Sequence, residues 1–99
     1  MKEKEFIKIG EAAKSIHIHE QTIRDYERKG LIRIRRSENN TRMFSSDDLL
    51  RIDIIITLTQ ELGMNLNGVK LVFALQRKME MADDELLDYI TDNINDFRV

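Results

Sequence analysis

The chain contains no cysteine, no proline and no tryptophan. Without thiols there is no disulfide scaffold, no thiolate nucleophile and no thiolate metal or redox sensor. Without proline, and with many Ile, Leu, Glu, Lys and Asp residues, the composition favours a mainly helical fold. No apolar run approaches the roughly 20 residues that span a bilayer, and the segment from Met1 to Phe6 lacks the apolar stretch of a signal peptide. A soluble, cytoplasmic protein is expected, with no membrane partner. A Gly-rich phosphate loop, a Ser/His/Asp constellation and an HExxH motif are all missing, so the expectation is of a chain that is not an enzyme and needs no cofactor. The only histidines, His17 and His19, stand two apart with no matching ligands, and they read as turn and cap residues rather than as a metal site.

What is present is charge, unevenly spread. The net charge over 99 residues is -2, yet residues 1–51 carry 12 Lys/Arg against 9 Asp/Glu, and residues 52–99 carry 4 against 9. A +3 half is thus joined to a -5 half, a polarity that the mean conceals. The length allows one modest core and leaves little room for an enclosed catalytic cleft.

Ile9, Ala12, Ala13 and Ile16 fall at i, i+3, i+4 and i+7, one face of a short helix with small residues for close packing. After the turn at His17-Ile18-His19 a second helix runs with Ile23 and Tyr26 inward and Gln21, Arg24, Asp25 and Arg28 outward. Glu20 suits the positive end of that helix, and Arg28-Lys29-Gly30 is a strong stop. Two short helices joined this way form a helix-turn-helix. From Leu31 to Arg36 apolar and basic residues partly alternate; Thr41 to Phe44 can return antiparallel, and Ser37-Glu-Asn-Asn40 supplies the turn. The product is a hairpin, or wing, rich in Arg33, Arg35, Arg36 and Arg42.

Ser45-Ser-Asp-Asp48 resembles a capping box and opens a helix through about Leu62. Its run from Ile52 to Leu58 is apolar enough to fit a strand, but the cap and the length favour helix. Gly63 ends it, and Asn65 caps the next helix, Leu66 to about Met79, with Val69, Val72, Phe73 and Gln76 inward. Asn67-Gly68 lies in its first turn, and this region reads as a second, short wing. Met43, Met64, Met79 and Met81 read as core or seam filling. The acidic tail 83–97 spaces Leu87, Ile90, Ile94 and Phe97 by 3, 4 and 3, the seam of two heptads. A lone helix of about 15 residues is marginal in water, so this stripe calls for a partner, most economically a second copy.

The chemistry of these faces is that of DNA recognition. Arg24 can grip guanine O6/N7, Gln21 can pair with adenine N6/N7, and Thr22 can touch a thymine methyl, with Asp25 on the same face. Tyr26 and Arg28, and Arg35, Arg36 and Arg42 on the wing, suit phosphates. Tyr26 serves as well by packing its ring as through its hydroxyl. The acidic pairs Asp47-Asp48 and Asp83-Asp84 sit in first helical turns, where capping explains them more simply than acid/base chemistry.

Ile9-Gly-Glu-Ala-Ala13, Thr22-Ile-Arg-Asp-Tyr-Glu-Arg-Lys-Gly-Leu-Ile32, Thr41-Arg-Met-Phe-Ser45, Leu62-Gly-Met-Asn-Leu66 and Val69-Lys70 together resemble the winged-helix domain of MerR-type transcription regulators, over about 6–79. Within that family, His19, Gln21-Thr-Ile-Arg24 and Gln60–Lys70 are similar to heat-shock repressors of HspR type, which usually carry proline in place of Glu20 and aspartate in place of Glu27. The resemblance implies Gln21, Arg24 and Tyr26 at the DNA, Arg42 on a phosphate from the wing that Thr41 begins, and Lys70 on a backbone phosphate from the second wing. It implies a homodimer on an inverted repeat, repressing chaperone genes with the chaperone DnaK as co-repressor. The metal-sensing branch is distinguished by cysteines that this chain lacks. The tail is shorter than the family's long dimerisation helix, so a truncated C-terminus stays open.

The expected architecture is mainly α: a winged helix-turn-helix of two short helices, a β-hairpin wing and two further helices over 1–80, then a C-terminal dimerisation helix over 81–99. Its function is expected to be sequence-specific repression, the alternatives being a protein-interaction module or a MerR-type regulator of another stress or metabolic regulon.

Overall fold

The computed structural model describes residues 6–98. It is mainly helical with a small antiparallel sheet, a winged helix-turn-helix. Its elements are β1 (Ile7–Lys8), α1 (Ile9–Ser15), α2 (Glu20–Arg28), β2 (Arg35–Arg36), β3 (Arg42–Phe44), α3 (Ser46–Ile56), α4 (Leu66–Lys78), α5 (Asp83–Asp92) and α6 (Ile94–Phe97). The chain packs as two compact units that divide between Ile52 and Asp53, inside α3.

In the first unit, Ala12 and Ala13 are buried on α1, and Ile23 and Tyr26 on α2, as their periodicity implies. Both helices end in the same way. The Gly30 and Leu31 amides donate to the carbonyls of Glu27 (3.0 Å) and Tyr26 (2.9 Å), with Gly30 at φ 78°. His17 and Ile18 repeat the pattern onto Lys14 (3.4 Å) and Ala13 (3.0 Å), with His17 itself at φ 58°. These are Schellman endings, which satisfy carbonyls that would otherwise have no partner. His19 stands at the N-cap position of α2 but makes no side-chain cap bond.

The wing is the expected antiparallel hairpin, with a shorter first strand and a third strand beside it. Of residues 31–36 only Arg35 and Arg36 pair as a strand, while Leu31, Ile32 and Ile34 are buried and Arg33 is exposed. A third strand, β1, pairs with β3 on its other side, giving the order β1-β3-β2 with Ile7 opposite Phe44 and Arg36 opposite Arg42. Two residues are too few to show an alternating pattern, which is why β1 escapes the sequence reading. The wing turn closes through Ser37, whose amide donates to the Thr41 carbonyl (2.9 Å) and whose hydroxyl accepts from the Thr41 amide (3.2 Å).

Ser45 and Asp48 make the capping box that opens α3, so the apolar run is helical. The helix does not continue regularly to Leu62. Thr57–Glu61 forms a π-helical turn in which the Leu62 amide donates to the Thr57 carbonyl at 3.3 Å. The Thr59 hydroxyl donates to the Ile55 carbonyl at 2.8 Å, competing with the main-chain ladder at that point. Gly63, at φ 69°, ends the segment.

The second unit buries Ile54, Ile55, Leu58, Val69, Phe73, Gln76, Leu86 and Ile90. Asn65 caps α4 by accepting from the Gly68 amide at 2.8 Å, as expected. The stretch read as a second wing holds this capped helix start, and Gly68 leaves room for the Met64 side chain. Met79, expected as filling, is exposed, whereas Met43, Met64 and Met81 are half-buried. The tail is two helices rather than one, broken at Asn93 between α5 and α6; the Asn93 side chain donates to the Tyr89 carbonyl at 2.8 Å, turning inward on the chain instead of extending the helix.

Candidate nucleic-acid interface

The polar face of α2 is internally wired. Gln21 Nε2 donates to Asp25 Oδ1 at 3.0 Å, Arg28 also donates to Asp25 Oδ1, and Arg24 Nη2 reaches Glu20 Oε1 at 3.4 Å. Pairs this exposed contribute little to stability in water. They tie Gln21, Arg24, Asp25 and Arg28 to one another and to Glu20 along one side of α2. Thr22 is half-buried on the same helix.

Tyr26 is 5% exposed, so its ring packs within the first unit. Arg28 is exposed at the end of the helix.

The wing brings its own cations to the helix. Arg36 and Arg42 are register partners across β2 and β3, so their side chains leave the same face of the sheet. Between them stands Glu27 of α2, whose Oε1 accepts from Arg42 Nε at 2.8 Å and lies 3.5 Å from Arg36 Nη2. Arg36 Nη1 also donates to the Asn40 carbonyl in the wing turn at 3.4 Å. Arg35, on the other side of the strand, places its guanidinium 5.6 Å from the centre of the Phe6 ring, a cation–π contact. Thr41 and Arg42 are half-buried, and Arg33 is exposed. Lys70 is exposed on α4 in the second unit.

Glu27 is the residue sequence reasoning missed. The available signal was a carboxylate on a cation-rich helix, which α2 also offers in Glu20 and Asp25; only the approach of the Arg36–Arg42 pair to α2 singles out Glu27.

Of the four residues assigned to a dimer seam, Ile90 is buried within its own unit, Leu87 and Ile94 are half-buried, and Phe97 is exposed, its ring 6.0 Å from that of Tyr89. Among the described residues no helix is long and apolar enough to cross a membrane.

The fold has relatives. Residues 7–76 match the model of the MerR helix-turn-helix regulatory protein family. A Streptomyces coelicolor relative named for the heat shock protein HspR is 32% identical over 71 residues, 72% of this chain and 47% of the relative. The HTH-type transcriptional regulator YfmP of Bacillus subtilis is 31% identical over 84 residues, 84% of this chain and 60% of its own. The mercuric resistance operon regulatory protein of Bacillus cereus is 33% identical over 92 residues, 92% of this chain and 69% of its own. Among solved structures, that of HiNmlR, a MerR family regulator lacking the sensor domain and bound to promoter DNA, superposes with a TM-score of 0.68 at 24% identity, covering 91% of this chain and 70% of that one. This chain thus spans about half to two thirds of the length of its curated relatives. With the family model covering most of the chain, and three relatives above 30% identity each aligned over more than two thirds of it, the chain belongs to the MerR family of helix-turn-helix regulatory proteins.

Proposed function

We propose that this protein is a sequence-specific DNA-binding transcriptional repressor that binds an inverted repeat as a homodimer, with heat-shock or chaperone genes as its targets and DnaK as a co-repressor. The observation that carries the DNA reading is the joining of the polar face of α2 to the arginine-rich wing through Glu27, which puts base-reading and phosphate-gripping side chains on one tied pair of elements. On this reading Gln21, Thr22, Arg24 and Asp25 face base edges. Tyr26, Arg28, Arg35, Arg36, Thr41, Arg42 and Lys70 face the backbone. The family, and a solved relative whose structure contains promoter DNA, support it. The heat-shock assignment draws support from the relative named for HspR.

The dimer is supported by where apolar surface remains. Leu71, Leu75, Met79, Tyr89 and Phe97, the large apolar residues left exposed among those described, all belong to the second unit, in which the tail with Leu87, Ile90, Ile94 and Phe97 lies. A two-fold dimer presents two recognition helices to two half-sites about an integral number of helical turns apart. Residues 1–80 then form the DNA-binding part and 81–99 the dimerisation part.

Selection of bound sequences from a random duplex pool, with and without added DnaK, tests the proposal. An inverted repeat should emerge, more strongly enriched with the chaperone. A single asymmetric site would overturn the dimer, and no enrichment at all would favour a protein-interaction module, for which the exposed apolar residues of the second unit are the natural surface.

A further inference from the structure

We propose that Glu27 is a positioning and specificity-determining residue for DNA binding: by engaging Arg42 and Arg36 together it locks the wing to the recognition helix, so that tight binding requires both to meet the duplex in one fixed register. The inference rests on the DNA-facing role of α2 and the wing proposed above.

Three observations carry it. Arg36 and Arg42 are directly opposite across an antiparallel pair, an arrangement in which like charges repel. A single carboxylate oxygen, Glu27 Oε1, answers both, at 2.8 Å and 3.5 Å. The contact is also more protected than its neighbours: the Glu27 and Arg42 side chains are 21% and 25% exposed. By contrast, the contacts of Glu20 with Arg24 and of Asp25 with Arg28 and Gln21 stay within α2 itself. Glu27 reaches 15 residues along the chain and joins two elements.

The bond to Arg42 uses Nε, which leaves the terminal amino groups of the guanidinium as donors for a phosphate. A carboxylate in a phosphate-facing cluster also lowers the raw attraction for any DNA. A residue that reduces general affinity while fixing geometry shifts the balance toward the correct site.

The test compares wild type, Glu27→Gln, Glu27→Asp and the double variant Glu27→Gln/Arg36→Gln, with folding of each followed by circular dichroism. Affinity is measured against salt concentration on two duplexes: the sequence that wild type selects from a random pool, and a random one. Glu27→Gln is near-isosteric and unmasks one positive charge; it should bind random duplex more tightly, steepen the salt slope by about 0.9, and lower the preferred-to-random ratio about tenfold. Glu27→Asp should restore the wild-type slope. The double variant should restore the slope but not the ratio, separating charge from positioning. Equal losses on both duplexes with an unchanged slope would mark Glu27 as merely structural and overturn the inference, as would a ratio restored in the double variant. A wild-type protein that prefers no sequence would instead overturn the DNA reading, and this inference with it.

Discussion

Ser45 and Asp48 hold each other at the entry to α3: the Asp48 carboxylate accepts from the Ser45 amide at 2.9 Å and from its hydroxyl at 3.0 Å, while the Ser45 hydroxyl accepts from the Asp48 amide at 3.3 Å. The residues bracket the first turn of the helix that leaves the wing, so the cap fixes where β3 ends and α3 begins. Removing either side leaves a helix-start amide unpartnered. Ser45→Ala and Asp48→Ala should each lower stability by about 1 kcal/mol in urea unfolding. The double variant should lose clearly less than the sum, because each half depends on the other. Strict additivity would show that the two bonds act independently.

His17 and Glu80 each occupy a helix ending that elsewhere takes glycine. Glu80 follows α4 at φ 54°, with its amide donating to Arg77 (3.1 Å) and that of Met81 to Gln76 (3.0 Å), the same ending His17 gives α1. A side chain in left-handed geometry costs about 1–2 kcal/mol, part of which glycine gives back through the entropy of the unfolded chain. His17→Gly and Glu80→Gly should therefore each raise stability by about 0.5–1 kcal/mol, seen as a higher thermal midpoint. A fall in the midpoint for His17→Gly would mean that the imidazole itself contributes to the fold.

These endings show what the sequence makes legible. Gly30 could be read as a stop because glycine signals left-handed geometry, whereas His17 could be placed only in a turn, with nothing in its residue type to mark that angle. Ser45 and Asp48 were legible because a cap is a local contact with a fixed spacing. The break at Asn93 and the π turn at Thr57–Glu61 were not, since Asn93 and Thr59 turn their side chains onto main-chain carbonyls where an uninterrupted helix was equally consistent with the pattern. For the candidate site, the polar face of α2 followed from periodicity around Ile23 and Tyr26. The link from Glu27 to Arg42 did not, because it depends on strand register and tertiary approach, which no local pattern encodes.

Arg24 and Arg36 should separate base reading from phosphate holding. Arg24, on the exposed face of α2, is assigned to a guanine edge. Arg24→Gln should weaken the selected site by about 1–3 kcal/mol and relax preference at one base position in each half-site. Arg36→Gln should instead weaken selected and random duplexes together and make the salt slope shallower by about 0.9. Competition binding against a panel of single-base variants reads both effects. If Arg24→Gln weakened every duplex equally, Arg24 would be a phosphate contact.

Ile90 and Phe97 lie in one heptad-like stripe but should behave oppositely. Ile90 is 4% exposed and belongs to the core of the second unit, while Phe97 is 41% exposed beside Tyr89. Truncating a buried isoleucine leaves a cavity, so Ile90→Ala should cost about 2–4 kcal/mol of unfolding free energy. Phe97→Ala removes one exposed ring pair, and at protein concentrations where the chain is monomeric it should cost about 1 kcal/mol or less. In sedimentation velocity the order should reverse: Phe97→Ala should weaken self-association by about tenfold, as loss of an aromatic anchor does at an interface. An unchanged association constant for Phe97→Ala would remove the tail from the dimer contact and leave the exposed Leu71, Leu75 and Met79 of α4 as the surface to examine.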